Sequence, residues 1–228
     1  MYFKVLFMIE NDQPANSLQD IKDIRKIMER SSRFISLSGL SGVAAGICAL
    51  GGVFVANDIL KTHYDAYTSG GFFSGAEFNR LKIKLIILAI IVFAIAFIIS
   101  FYLTWRKTKA MGQPIWNFTS KRLAWNMILP LISGAAFILG MLKYDAWMFV
   151  APASLIFYGL ALVNASKYTL TDIRYLGYCE IITGVVNMLF IGYGLWFWAI
   201  GFGLLHIIYG IIMWWKYERS PLHLSDSR

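Results

Sequence analysis

Charged residues are scarce in this chain. Asp, Glu, Lys and Arg make up 15% of its 228 residues and 58% are hydrophobic, whereas a soluble domain is about 25% charged. Apolar runs of about 20 residues recur along the chain, and each is long enough to cross the ~30 Å hydrocarbon core of a bilayer as a helix. The alternating strands of about 10 residues that build a membrane barrel are missing. The composition therefore excludes an ordinary soluble domain and predicts an all-α polytopic membrane protein.

Cysteine, histidine and catalytic motifs are also rare. Cys48 and Cys179 both lie within apolar runs without metal-binding or redox spacing, which favours small core residues over a disulfide. The three histidines fall in three different environments and do not form a three-ligand metal site. No HExxH, GxSxG, paired-aspartate or glycine-rich phosphate-binding motif is found. We therefore expect no catalytic residue, metal or cofactor, and an enzyme is disfavoured.

The charge balance is positive, with 21 Lys and Arg against 13 Asp and Glu. In a membrane protein this excess reflects the enrichment of Lys and Arg in cytoplasmic loops, so it does not indicate a nucleic-acid partner. If six spans alternate in direction, 16 of the Lys and Arg lie on the side of both termini and five on the other. This asymmetry predicts that both termini are cytoplasmic.

Six apolar runs predict six transmembrane helices in one domain, residues 35–215. Their expected limits are about 35–56, 83–105, 123–142, 146–165, 175–191 and 195–215. Residues 1–16 are expected to form a flexible N-terminus, with Met8 as an alternative start to Met1, and residues 216–228 a polar cytoplasmic tail. The segment 57–82 is the longest predicted loop, and a lid or ligand-contacting role for it stays open.

Residues 17–34 carry the pattern of an amphipathic helix. Apolar residues recur at helical spacing opposite a cationic face, as Leu18, Ile21, Ile24, Ile27 and Met28 against Lys22, Arg25, Lys26 and Arg30. Such a helix lies in the membrane interface with its cationic groups near anionic headgroups. We expect an interfacial anchor that leads into the first span. A docking surface for a cytoplasmic or membrane protein partner, formed by residues 17–33, is the alternative.

The second and third pairs of spans resemble each other. Ser133-Gly134 and Thr183-Gly184 are 50 residues apart, and Tyr158-Gly159 and Tyr209-Gly210 are 51 apart. This short match predicts three helical hairpins in the same orientation, the first with a longer loop. Parallel repeats build some transporters, but they also arise by simple duplication, so the repeat favours no function.

Small residues form stripes on several spans. Small side chains let helix backbones approach closely in a membrane, where no hydrophobic force drives helices together. The glycines expected at helix–helix contacts are Gly42, Gly46, Gly184, Gly203 and Gly210.

Two ionisable residues lie deep within the last two spans, Glu180 in the fifth and His206 in the sixth. They are equally distant from the turn between these spans, so antiparallel helices would place them at the same depth. Thr183 and Asn187 share the helix face of Glu180, and Tyr209 follows His206 on the sixth span.

A charge within a membrane is costly unless it is paired or hydrated, and such residues commonly mark function. These five residues are therefore predicted to form a ligand-binding or proton-responsive site. The alternative is a structural hydrogen bond that locks the last two spans together.

Two segments resemble small bacterial six-span inner-membrane proteins of unassigned function. They are the segment 24–42, which contains MERSSRFISLSGLSG, and the segment 201–210, GFGLLHIIYG. The resemblance covers most of the chain and implies the membrane architecture without implying an activity.

Three functional hypotheses follow. The first is a non-enzymatic sensor, accessory subunit or small-molecule-binding membrane protein that uses the Glu180/His206 site. The second is a small transporter or permease, proton-coupled through Glu180, and the third is an intramembrane enzyme. The lipid bilayer is the partner that the composition itself implies.

Overall fold

The computed structural model describes residues 38–69, 75–112 and 114–219, and the regular elements within these ranges are all helical. The helices are α1 Gly39–Thr68, α2 Gly75–Ala110, α3 Phe118–Lys143, α4 Val150–Ala165, α5 Asp172–Leu189 and α6 Gly194–Tyr217. A 3-10 turn, Trp147–Phe149, leads into α4. The predicted flexible N-terminus and amphipathic helix lie outside the described residues, as does most of the predicted tail.

Five helices are long and apolar enough to cross a membrane, namely α1, α2, α3, α4 with its 3-10 turn, and α6. The prediction of an all-helical protein with membrane-spanning segments is confirmed to this extent. α5 has 18 residues, but it carries Asp172, Arg174 and Glu180, which make it less apolar than a typical span. Whether the protein has six spans or five therefore depends on whether α5 crosses the bilayer.

α1 and α2 continue well beyond their apolar runs. The segment 57–82, predicted as a loop, is helical as far as Thr68 and again from Gly75. That prediction was wrong because it ended each helix with its apolar run, whereas a polar sequence can also be helical in water. At 1.5 Å per residue α1 and α2 are ~45 and ~54 Å long, so both exceed the ~30 Å hydrocarbon core.

The helices form two groups of three. α1 packs against α2 and α6, and α4 packs against α3 and α5. We call α1, α2 and α6 the first group, and α3, α4 and α5 the second group. α6 also contacts α4 and α5 and so joins the two groups. The last two helices are therefore not a tight hairpin, since α5 packs mainly on α4 and α6 mainly on α1.

Glycines set the closest approach within each group. A Cβ atom on Gly210 of α6 would lie 2.6 Å from the backbone nitrogen of Val43 on α1. One on Gly159 of α4 would lie 2.6 Å from the carbonyl oxygen of Gly177 on α5. Since real Cβ atoms do not approach backbone atoms this closely, both helix pairs require glycine at these positions.

The packing does not repeat in the way that the 50-residue offset suggested. Gly134 of α3 packs on Phe157 of α4, whereas Gly184 of α5 packs on Pro152 and Ile156, also of α4. In equivalent hairpins Gly184 would pack on α6. The three helix pairs α1–α2, α3–α4 and α5–α6 follow each other in the chain, but their helix contacts differ.

Polar contacts mark the two ends of the bundle. At the end where α1 begins, here the terminal end, Glu218 accepts a hydrogen bond of 2.6 Å from the Gly39 backbone N–H and pairs with Lys107 of α2 at 3.2 Å. A carboxylate stabilises the positive end of a helix dipole, so Glu218 fastens the end of α6 to the start of α1. At the opposite end, here the turn end, Lys82 of α2 pairs with Asp145, which follows α3.

Candidate functional site

Glu180 and His206 face each other near the middle of α5 and α6. The Nδ1 atom of His206 lies 3.3 Å from Oε1 of Glu180. The Glu180 side chain is fully buried, and His206 is 6% exposed. The structure thus brings together the two ionisable residues that the symmetry of the sequence placed at equal depth.

Tyr158 of α4 completes the site. Its hydroxyl group lies 2.8 Å from Nε2 of His206, and its ring packs against the rings of His206 and Phe202. Tyr158 was not among the predicted site residues. The sequence did place a tyrosine near the centre of a predicted span. Tyrosine is too common in membrane helices, however, for its position alone to identify a site residue.

The position of His206 depends on a π-helical segment, Ala199–Leu205, within α6. The Nδ1 atom of His206 lies 3.0 Å from the carbonyl oxygen of Gly201, five residues earlier. In a regular α-helix that carbonyl is directed at the N–H group four residues on, whereas a π-turn aligns residues five apart. π-Helical turns are frequent at functional sites.

The hydrogen bonds define the proton on the imidazole ring. The Gly201 carbonyl oxygen can only accept, so Nδ1 of His206 carries a proton and donates it to this bond. When the ring is neutral, Nε2 accepts from the Tyr158 hydroxyl group. When the ring is charged, Nε2 donates to the same hydroxyl oxygen. The bond between His206 and Tyr158 therefore reverses its direction when the ring gains a proton.

Neither carboxylate oxygen of Glu180 receives a hydrogen bond from a described residue. Oε1 faces Nδ1 of His206, which already donates to Gly201, and a Cβ atom on Gly201 would lie 2.6 Å from Oε2. An ionised carboxylate in such a place costs several kcal/mol unless it is compensated. Protonation of Glu180, or an ion pair with a charged His206, removes most of this cost.

Asn187 belongs to the same buried face of α5. It is 1% exposed, and its Nδ2 atom donates to the carbonyl oxygen of Phe190 at 3.3 Å. Its Oδ1 atom receives no hydrogen bond from any residue that the structure describes. Like Glu180, Asn187 thus holds a buried oxygen atom with free acceptor capacity.

Thr183 and Tyr209 are directed away from the pair. The Thr183 hydroxyl group donates to the carbonyl oxygen of Cys179 at 2.7 Å. The hydroxyl group of Tyr209 lies 3.8 Å from the sulfur atom of the same cysteine. The sequence placed both near the site because they share its helix faces, but their hydroxyl groups engage Cys179.

The five glycines predicted at helix contacts lie where helices meet. Gly42 and Gly46 of α1 lie against Gly210 and Gly203 of α6, and a Cβ atom on Gly46 would be 2.6 Å from the Gly203 carbonyl oxygen. A Cβ atom on Gly184 would be 2.9 Å from the carbonyl oxygen of Pro152 on α4. These residues position the helices that carry the site and do not contribute polar groups to it.

No group of three His, Cys, Asp or Glu that could hold a metal ion occurs in the part of the chain that the structure describes. No protein-family model, curated protein or solved structure matches the chain.

Proposed function

We propose that this protein is a non-enzymatic membrane sensor or accessory subunit whose Glu180/His206 pair binds a proton. The observation that supports this most directly is the fully buried Glu180 carboxylate, which lacks a hydrogen bond from the described residues and lies 3.3 Å from His206. Histidine is the side chain whose charge ordinarily changes between about pH 5 and 8. A purely structural pair would be expected to satisfy both carboxylate oxygens with hydrogen bonds.

The location of the pair explains how proton binding affects the whole protein. Glu180 and Tyr158 belong to the second group of helices, and His206 belongs to the first. A change of charge on the pair alters the attraction between the two groups, and a proton on His206 also reverses its bond to Tyr158. Local charge changes of this kind operate many protein switches.

The membrane topology is part of this proposal. α5 also crosses the membrane, which makes six spans in all. The protein lies in a bacterial inner membrane, and both termini are cytoplasmic. Residues 17–34 form an interfacial helix, of which residues 17–33 contact a cytoplasmic or membrane protein partner. The positive-inside rule supports this orientation, since basic residues in the last turns of α2 and the first turns of α3 lie at the terminal end, as Arg106, Lys107, Lys109, Lys121 and Arg122.

Infrared difference spectroscopy of the protein in lipid nanodiscs tests the proposed proton binding. We expect a carboxylic acid C=O band that appears as the pH falls and is absent in Glu180→Gln. The same titration with Glu77→Gln, in the first turn of α2, provides the control and should retain the band. A band that persists in Glu180→Gln, or a spectrum without any pH-dependent buried carboxyl group, would contradict the proposal.

Proton-coupled transport is the second candidate function. It is favoured by the position of the pair near mid-span between two helix groups, because transporters bind their coupling ions near the membrane midplane where structural units meet. Proteoliposomes with a pH gradient, assayed with a panel of labelled amino acids, sugars and metal ions, would test it. Gradient-driven uptake that Glu180→Gln abolishes would favour transport over sensing.

A further inference from the structure

The surroundings of Glu180 differ between the two ends of the bundle. Asn187 lies seven residues further along α5 towards the turn end, two helical turns and about 10 Å from Glu180 on the same face. Its buried Oδ1 atom has no donor among the described residues, and its amide group is bonded to Phe190 where α5 ends. A polar side chain thus lies between Glu180 and the nearest end of its helix on this side.

α6 carries a glycine opposite each oxygen-bearing residue of α5. Gly201 lies against Glu180, and seven residues earlier Gly194 lies near Asn187, with a distance of 3.9 Å from the position of a Cβ atom to Oδ1. Residues seven apart share one helix face. The interface between α5 and α6 therefore carries glycine on one side and unsatisfied oxygen atoms on the other.

A further polar contact lies on the turn-end side of the Glu180/His206 pair. The Trp198 indole N–H donates to the Ser154 hydroxyl group at 2.9 Å, which links α6 to α4 one turn from Tyr158. Towards the turn end, all three helices that surround the pair thus contribute polar groups.

The terminal end of the site is closed by apolar side chains. A buried cluster fills the space between the pair and this end, with Tyr158, Leu205 and Tyr209 packed against it; its members are Leu162, Leu170, Ile173, Leu176 and Met213. Leu176 precedes Glu180 by one helical turn, and Met213 follows His206 by about two. Close-packed apolar groups do not provide the hydrogen-bond partners that buried water requires.

We infer that Glu180 exchanges its proton with the turn end of the bundle, along the face of α5 that carries Asn187, and that the apolar cluster separates it from the terminal end. This inference rests on the proposed function. The titratable groups that face Glu180 are Tyr158 from α4 and His206 from α6, while Cys179 on α5 contacts Tyr209. With cytoplasmic termini, the pair responds to the proton concentration outside the cell.

Carbodiimide labelling in vesicles tests this sidedness. N,N′-dicyclohexylcarbodiimide crosses membranes and modifies buried protonated carboxyl groups. Vesicles are prepared with the orientation defined by protease access to the N-terminal segment, and the pH is clamped separately on each side. Modification of Glu180 is measured by mass spectrometry, with Glu180→Gln as the background. We expect labelling of Glu180 to rise by up to about tenfold per pH unit when the turn-end side is acidified. Changing the pH on the terminal side should not affect it.

The possible outcomes separate the inference from the proposed function. Labelling that follows the pH of the terminal side would overturn the sidedness while leaving a proton-binding pair. Labelling that is independent of the pH on both sides would overturn the proton-binding function itself. Leu176→Ser places a polar group in the apolar cluster, so in this variant the labelling of Glu180 should respond to the pH on both sides.

The role of Asn187 is tested by the rate of proton exchange. After a pH jump, the C=O band of Glu180 should develop about tenfold more slowly in Asn187→Leu, because the substitution removes the buried polar side chain that can hold a relaying water molecule on this route. The band should reach the same endpoint. Asn126→Leu makes the same substitution on α3, where the side chain bonds to the Arg122 carbonyl, and should leave the rate unchanged. An unchanged rate in a folded Asn187→Leu variant, or a shifted endpoint with no change in rate, would overturn this route.

Discussion

Gly201 shows how strongly a single residue constrains this site. A Cβ atom there would lie 2.5 Å from a methyl carbon of Leu155 and 2.6 Å from Oε2 of Glu180. Alanine at this position must displace either the apolar contact with α4 or the carboxylate. The absent side chain is therefore as much a part of the site as the polar groups.

We predict that Gly201→Ala lowers the free energy of unfolding by about 1–3 kcal/mol, the usual cost of overpacking. Gly51→Ala is the matched control, because a Cβ atom on Gly51 of α1 meets nothing within 4 Å. The control should be neutral or stabilising by up to ~1 kcal/mol, since alanine favours helix more than glycine does. Thermal unfolding in detergent measures both variants, and equal stability of the two would contradict the described contacts of Gly201.

The two central tyrosines are predicted to differ. Tyr158→Phe removes a 2.8 Å hydrogen bond to His206 and should cost about 1–3 kcal/mol, because the imidazole nitrogen is left unsatisfied. Tyr209→Phe removes only a 3.8 Å contact with Cys179 and should cost less. Nitrogen-15 NMR of labelled His206 provides an independent measurement, since only Tyr158→Phe should shift the Nε2 signal. A larger effect of Tyr209→Phe would contradict the assignment of Tyr158 to the site.

At the scale of single residues, the sequence was informative where chemistry alone identifies a residue. Glu180 and His206 stood out because ionisable groups are rare in apolar runs. Thr183, Tyr209 and Tyr158 could not be sorted in this way, since a hydroxyl group can bond either to its own helix or to a neighbouring one. Which of these occurs depends on helix rotation, which the sequence does not specify.

The α5 and α6 helices are joined at the terminal end by a second polar contact. Asp172, the first residue of α5, receives hydrogen bonds from the Tyr217 hydroxyl group at 2.6 Å and from Lys216 at 2.9 Å. Burial alone would raise the pKa of Asp172, but the hydrogen bonds from Tyr217 and Lys216 outweigh it, so the pKa lies below its ordinary value of 3.8. The folded protein thus stabilises the ionised form of this carboxyl group.

A lowered pKa in the folded state stabilises the protein above the unfolded-state pKa, and this contribution is lost as the pH falls through the folded-state value. We therefore predict that Asp172→Asn lowers the thermal unfolding temperature at neutral pH, by an amount equivalent to about 0.5–1 kcal/mol for a partly exposed pair. The difference from wild type should vanish below the folded-state pKa. Asp58→Asn, at an exposed position of α1, is the matched control. A difference that grows on acidification would have the wrong sign for this mechanism.

Helix boundaries and helix type illustrate what the apolar pattern determines about single elements. The pattern located the apolar part of each span because hydrocarbon must be crossed by apolar side chains. It did not predict how far α1 and α2 continue into water, nor the π-helical segment Ala199–Leu205. A π-turn changes one backbone hydrogen bond without changing hydropathy, so the pattern contains no signal for it beyond the neighbouring Gly201 and Gly203.

For the whole molecule, the direction of each helix can be tested with single cysteines. Tyr144→Cys and Tyr193→Cys replace exposed side chains at the turn end. Lys109→Cys and Lys167→Cys replace side chains at the terminal end. With Cys48 and Cys179 replaced by alanine, an impermeant maleimide should label the two pairs from opposite sides of the membrane. Labelling of Tyr193→Cys and Lys167→Cys from the same side would show that α5 does not cross, and the protein would then have five spans.

The class of protein was accessible from the sequence because it depends on composition and on spacing along one chain. Apolar runs indicate membrane-spanning helices, and the equal distance of Glu180 and His206 from their common turn placed them at matched positions. The orientation that Lys and Arg indicate stays a prediction. Three features required the tertiary structure: the contact of these residues with Tyr158, the separation into two helix groups, and the apolar closure of one end. They depend on which helices become neighbours and how each is rotated, and the many small packing contacts that decide this are spread over distant parts of the chain.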